Sequence, residues 1–191
     1  MSSRTAPQAE ARVAVLVDCD NTSPDVLEYA LRVVAQSGRV VLRRGYGNHN
    51  TLAHKWREAL VWLAFTPCLQ FQYAAGKNTA DIALALDALE ALLDGRADTF
   101  WLVTCDSDFT CLCRKLRERG AAVYIVGDVN SPDALRQASD QFHEWVKPAS
   151  PAQPVPCPSP AQPVPYGALS AQISDVASPS APSVAKPKPA A

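Results

Sequence analysis

Residues 13–34, VAVLVDCDNTSPDVLEYALRVV, decide the fold of this chain. Val13 to Val17 is a short continuous apolar run, the pattern of a strand buried on both faces of a parallel sheet. It stops at Asp18. Ser23 then offers a helix N-cap with Pro24 at the first helical position, and Val26, Leu27, Ala30, Leu31 and Val34 repeat at helical spacing until Gly38 ends the helix. A buried strand that passes into an amphipathic helix within a few residues is a βα unit.

The same alternation continues outward. Arg39 to Gly45 reads as a second strand through Val40, Val41 and Leu42, and Leu52 to Phe65 as a second helix closed by Pro67, with Trp56, Leu60 and Leu63 as its core stripe. Leu69, Phe71 and Tyr73 alternate with Gln70 and Gln72, which gives a third strand. Thr79 caps a long helix from Ala80 to Leu93 that ends at Gly95. Phe100 to Val103 is a fourth strand, Phe109 to Arg119 a helix backed by Gly120, Ala122 to Val126 a fifth strand, and Ser131-Pro132 opens a last short helix. Strands alternating with helices through short connections predict an α/β protein, a three-layer α/β/α sandwich around a mostly parallel sheet of about five strands with right-handed crossovers.

The chain has 191 residues, 48% of them hydrophobic and 19% charged, enough to bury a core. Twelve of its 16 prolines lie in the last 44 residues, so the folded domain is expected over 12–147 and a disordered proline-rich tail over 148–191. That tail repeats itself, SPAQPVPCP from Ser150 and SPAQPVPYG from Ser159. Proline at this density favours extended polyproline II and supplies no core, while leaving room for a proline-reading protein partner. No apolar stretch reaches membrane-spanning length and none precedes the first strand, so the expectation is a cytoplasmic protein without membrane contact. A homodimer is compatible with the sequence.

Up to Lys147, 16 Lys plus Arg stand against 18 Asp plus Glu, which excludes a protein that wraps nucleic acid in a global positive field. Any nucleic-acid role must rest on local cations or on metal ions. The cysteines Cys19, Cys68, Cys105, Cys111, Cys113 and Cys157 include no Cys-x-x-Cys pair and read as reduced thiols rather than zinc or redox centres. His49, His54 and His143 are scattered, and no Ser-His-Asp or Cys-His arrangement emerges.

The carboxylates are ordered differently. In an open α/β sheet, functional residues gather beyond the carboxyl ends of the strands. Asp18 and Asp20 follow the first strand, Asp81 sits in the first turn of the helix after the third, Asp106 and Asp108 follow the fourth, and Asp128 follows the fifth. Helix dipoles and turn caps explain such positions one at a time, Asp81 and Asp108 by the first, Asp20 and Asp128 by the second. They do not explain the convergence. Clustered carboxylates repel and raise one another's pKa unless a cation sits among them, which points to a hard divalent ion with oxygen ligands, Mg²⁺ or Mn²⁺. Such an ion with open positions suits phosphodiester chemistry.

Val15-Leu-Val-Asp-Cys-Asp-Asn-Thr, Gly76-Lys-Asn-Thr-Ala-Asp-Ile-Ala-Leu-Ala-Leu-Asp-Ala-Leu and Leu102-Val-Thr-Cys-Asp-Ser-Asp-Phe resemble, in order and spacing, the three motif blocks of the NYN domain family, PIN-like metal-dependent ribonucleases, in their bacterial type. The resemblance runs roughly from Arg12 to Trp145 and includes Arg43-Arg-Gly-Tyr-Gly. It implies a PIN-like fold and hydrolysis of RNA by Mg²⁺ or Mn²⁺ held through Asp18, Asp81, Asp106 and Asp108, with Asn21 and Ser107 orienting ligands or phosphate. Arg43, Arg44 and Lys77 are the cations nearest that edge, with His49 and Lys55 behind them, and Tyr46 and Tyr73 offer stacking surfaces for single-stranded RNA.

Two rival readings stand beside it. Asp18-Cys-Asp-Asn-Thr also fits the first motif of haloacid dehalogenase-type phosphatases, in which Asp18 is the nucleophile and Asp20 the general acid and base, with Thr104 and Asp128 mimicking later motifs. Ser23-Pro24 leads straight into a helix where those enzymes place a hairpin flap. The second rival is a PIN-like domain that binds RNA without cutting it.

Overall fold

The apolar run after Arg12 is the central strand of the sheet. In the computed structural model, which describes residues 10–71 and 78–147, β1 (Arg12–Asp18) lies between β2 (Arg39–Gly47) and β4 (Thr99–Val103). β3 (Thr66–Leu69) pairs outside β2, while β5 (Ala122–Gly127) and β6 (Gln141–Glu144) extend the sheet beyond β4. The order is 3-2-1-4-5-6, and every neighbouring pair is parallel. The chain moves outward from β1 in one direction and then restarts at β4 in the other. The carboxyl ends of β1 and β4 therefore flank the switch point where such sheets form their crevice.

Alternation along β1 divides the core. Val13, Val15 and Val17 face α1 (Val26–Val34) and α2 (Arg57–Trp62), packing with Leu27, Trp56 and Trp101. Ala14 and Leu16 face the opposite layer, where α3 (Thr79–Leu93), α4 (Thr110–Glu118) and α5 (Asp133–Ala138) pack through Leu84, Leu116 and Leu135. Each β1 side chain from Val13 to Val17 is fully buried, which is why the run carries no polar residue until Asp18. No helix among the described residues is long and apolar enough to cross a membrane.

Five details depart from the sequence expectations, the smallest being that Thr79 is the first residue of α3 while Asn78 stands at its N-cap. The sheet has a sixth strand, β6, whose Gln141 and Glu144 are exposed and whose four residues give no alternation to read. The third strand starts earlier, at Thr66, with Pro67 inside it; an edge position tolerates proline because one side of the strand needs no amide donor. The second helix is broken into a π-helical turn (Thr51–Lys55) and α2, because the Trp56 indole is drawn fully into the core, where its N–H donates to the Cys19 carbonyl at 2.8 Å. The first helix begins at Val26, and Ser23 contributes its backbone carbonyl to the turn while its hydroxyl makes no cap. The expected tail, 148–191, lies outside the described residues.

The Gly-Tyr-Gly sequence at the end of β2 follows from close packing. A Cβ on Gly45 would meet Leu60 Cδ2 at 2.8 Å and Cys19 Sγ at 3.0 Å, and one on Gly47 would meet Asp20 Oδ1 at 3.2 Å. Ala64, by contrast, holds φ at +56° where α2 ends, a left-handed conformation that costs a non-glycine residue about 1 kcal/mol. Denaturant unfolding should therefore find Gly45→Ala destabilised by about 1–3 kcal/mol through overpacking. Ala64→Gly should be neutral or up to about 1 kcal/mol more stable. The opposite ranking would contradict this packing.

Candidate active site

Asp18 ends β1 with 1% of its surface exposed. A bare carboxylate there would be costly, and donors from two segments satisfy it. The Asn21 backbone N–H donates to Oδ1 at 3.2 Å, and the Asn21 amide and the Thr104 hydroxyl donate to Oδ2 at 3.0 and 2.9 Å. The turn that brings Asn21 back is closed by the Thr22 hydroxyl on the Asp18 carbonyl. Burial raises the Asp18 pKa, and these donors oppose the rise.

Thr104 carries the geometry across to β4. Its hydroxyl oxygen accepts the Asp106 backbone N–H at 3.0 Å, and the Asn21 amide that holds Asp18 also reaches Asp106 Oδ2 at 3.5 Å. Asp106 Oδ1 accepts the Asp108 backbone N–H at 2.9 Å, capping the short 3₁₀ turn Ser107–Phe109, and Ser107 is exposed at its start. Asp108 Oδ2 in turn accepts the Asn78 amide at 3.2 Å, which ties in the amino end of α3. Asp81 stands in the first turn of that helix. Its carboxyl is pushed up to about 6, first by burial and then by the charges of Asp18, Asp106, Asp20 and Asp108. Segments far apart in the chain thus bring their carboxylates to one edge.

Two of the six edge carboxylates have local duties. Asp20 accepts the Asn48 backbone N–H and, at 2.9 Å, the Asn48 amide, fixing the loop after β2. Asp128 accepts the Asn130 N–H at 2.9 Å and shapes the turn after β5. A phosphatase of that type would need Asp20 free as its general acid and base, and here Asp20 is committed to Asn48.

The donor chemistry fits a hard cation that retains much of its water. Among the described residues no three His, Cys, Asp or Glu side chains stand close enough to close on one ion. Mg²⁺ needs no such cage, since it is commonly bound through one or two carboxylates with water completing the octahedron. Burial and then repulsion raise Asp81, and a dication among these carboxylates would relieve the repulsion.

The cations differ from expectation. Arg43 and Arg44 lie mid-strand opposite Val15 and Leu16, behind the carboxyl edge. The Arg43 guanidinium donates to the Leu63 carbonyl at 3.1 Å, and Arg44 pairs with Asp87 of α3, which also accepts the Tyr46 hydroxyl at 2.6 Å. Both arginines brace helices against the sheet. Tyr46 is 1% exposed and offers no stacking face. Lys55 does come forward, its ammonium donating to the Thr22 carbonyl at 2.5 Å. Lys77 and Tyr73 lie outside the described residues.

Sequence reasoning missed the roles of Thr104 and Asn78. A polar residue directly after the four-residue apolar run Phe100 to Val103 was the available signal for Thr104; nothing in the sequence marked Asn78. Asp81 also gives the site a pH signature. Folded, it keeps its proton to about pH 6, against an ordinary value of 3.8, so between those limits the folded state binds more protons than the unfolded one. Its contribution to stability therefore falls as pH rises through the window. In EDTA, Asp81→Asn should be more stable than the wild type at pH 7, by about 1 kcal/mol after allowance for solvent screening, and the difference should vanish near pH 4. Melts showing the variant less stable at pH 7 would mean that neither burial nor the neighbouring charges disfavour the Asp81 carboxylate.

Comparison with known proteins places the chain in a family. The sequence pattern of the NYN domain family matches residues 12–146. An uncharacterized protein of Methanocaldococcus jannaschii is 32% identical over 124 residues, 63% of this chain and 49% of the relative, so this chain spans about half the length of that relative. A protein of unknown function from Vibrio parahaemolyticus, known as a crystal structure, matches with a TM-score of 0.61 at 22% identity, covering 75% of this chain and 98% of that one. The shared fold is the PIN-like sandwich. With the family pattern running from the first residue of β1 to beyond β6, this chain belongs to the NYN domain family.

Proposed function

We propose that the chain is a metal-dependent ribonuclease that hydrolyses phosphodiester bonds of single-stranded RNA, with Asp18, Asp81, Asp106 and Asp108 as the acidic edge that would take a largely hydrated Mg²⁺ or Mn²⁺ through one or two carboxylates at a time. The observation that carries the reading is the Asn21 amide donating to both Asp18 and Asp106, reinforced by Thr104 between them. Acceptors from two strands are held together by donors, against their own repulsion, at the crevice of the sheet. RNA as the substrate class rests on the family.

Hydrolysis adds water to phosphorus and breaks the bond to the leaving ribose oxygen, so one proton must leave the water and the departing oxygen must be neutralised. A divalent ion would supply positive charge to the phosphate and acidify the attacking water. Asp18, locked by its donors, would hold that ion in a fixed direction. Asp106 and Asp108, joined through the 3₁₀ turn, would face it from β4. Asp81 would take the proton of the attacking water, and exposed Ser107 would donate to a phosphate oxygen.

Incubation of the full chain with end-labelled single-stranded RNA tests the reading. Cleavage should require Mn²⁺ or Mg²⁺, stop in EDTA, and fall at least about 100-fold in Asp106→Asn, which keeps shape but loses charge. Undiminished cleavage by that variant would remove the site assignment. RNA retention without cleavage would instead mark a binding domain, and hydrolysis of p-nitrophenyl phosphate but not RNA would mark a phosphatase.

A further inference from the structure

Acidic residues are missing from one long segment. No Asp or Glu occurs between Glu28 and Glu58, while six of the 16 Lys and Arg residues up to Lys147 lie there. The fold sorts these cations. Arg32 in the last turn of α1 and Arg39 at the start of β2 belong to the amino edge of the sheet, and Arg43 and Arg44 along β2 are held by the Leu63 carbonyl and Asp87. Lys55 and Arg57 follow the carboxyl end of β2, on the same edge as Asp18 and Asp20, together with His49 and His54. All four are exposed, and among the described residues none makes an ion pair. Lys55 donates to the Thr22 carbonyl, in the turn that Thr22 closes on Asp18. A carbonyl does not neutralise the charge, and an ammonium has three protons to give.

The segment is also held in place. Asn48 is tied to Asp20, and the buried side chains of Leu52 and Trp56 pin the π-helical turn Thr51–Lys55 to the core. His54 and Lys55, between those two anchors, face outward. A π turn is rare and occurs frequently at functional sites.

The other flank of the carboxylate edge has spent its cations. On α4, Lys115 pairs with Glu118 at 2.7 Å, and the Arg114 charge also falls on that carboxylate. Beyond β5, Arg136 pairs with Glu144 and donates to the Ser131 and Asp128 carbonyls. A strand whose scissile phosphate lies at Asp18, Asp106 and Asp108 brings neighbouring phosphates with it, and those need positive charge.

We propose that residues 49–57 are the track along which the RNA backbone reaches the carboxylate edge, with Lys55 as its main phosphate contact and His49, His54 and Arg57 as further N–H donors. The identity of the strand rests on the ribonuclease reading; the direction from which it arrives rests on this distribution of charge. Phosphate contacts position a strand without reading its bases, so the track accepts any sequence.

Fluorescence anisotropy of a labelled oligouridylate on the full chain, in EDTA and over about 50 to 200 mM salt, tests the track without hydrolysis. Wild-type binding should weaken as salt rises. Lys55→Gln should bind severalfold more weakly at the low end and lower the slope of log K against log salt by about 0.7, the value of one phosphate contact on a single strand. Lys55→Arg should restore that slope, and Lys115→Gln on the opposite flank should leave affinity and slope unchanged. An oligodeoxythymidylate should show the same pattern, because the contact is to phosphate. The proposal is overturned by a wild type that does not bind at the lowest salt, by a Lys55→Gln variant that matches the wild type, or by an equal loss in Lys115→Gln. Cleavage in Mn²⁺ is scored apart. A chain that binds through Lys55 without cutting loses the ribonuclease reading and keeps the track, whereas one that cuts with an unaltered Lys55→Gln slope loses the track alone.

Discussion

Asp18 sits at the end of the central strand with almost no access to water, and the carboxylate stays there because Thr104 and Asn21 donate to it. Burying a charge without partners costs far more than one hydrogen bond returns, so both donors must be in place for β1 and β4 to end side by side. Thr104 then accepts from Asp106, Asp106 accepts from Asp108, and Asp108 accepts from Asn78 at the start of α3. The position of every carboxylate proposed to act follows from this one buried group. Substituting Asp18 by Asn would leave a donor facing a donor, so that change damages the scaffold as well as the site.

The positive charges obey a second constraint. Gly45 and Gly47 have no side chain because Cys19, Leu60 and Leu52 fill that face, while Tyr46 between them points into the other layer. Arg44 shares Tyr46's partner Asp87, and Arg43 reaches the end of α2. Together these side chains clamp the helices on the two faces against β2. The Arg-Arg-Gly-Tyr-Gly segment is therefore architecture, and the carboxyl edge keeps its negative charge uncompensated by either arginine.

The βα alternation was legible because burial on both faces writes an unbroken apolar run, as in Val13 to Val17 and Phe100 to Val103, and because edge carboxylates fall directly after such runs. Gln141–Glu144 escaped because a four-residue edge strand with exposed ends carries no periodicity. The break at Trp56 escaped because one indole hydrogen bond to the Cys19 carbonyl outweighed an intact helical pattern. Convergence of Asp18, Asp106 and Asp108 at one edge was legible from their positions, whereas Thr104 and Asn78 act only through contacts across the fold. The acceptors of Arg43 and Arg44 were hidden for the same reason: sequence places a residue along a strand but does not name the acceptor its side chain finds.

The central claim is that this edge is a cation site and not a set of turn caps. Thermal melts of the wild type and Asp106→Asn in EDTA and in Mn²⁺ address it without any assay of catalysis. A metal that binds only the folded state stabilises by RT ln(1 + [L]/Kd), about 2.7 kcal/mol at a hundredfold excess over Kd. The account predicts a wild-type gain of that order and a much smaller gain in Asp106→Asn. A wild type that gains nothing from Mn²⁺, with the variant destabilised equally in both conditions, would show the carboxylates to be structural and contradict the account.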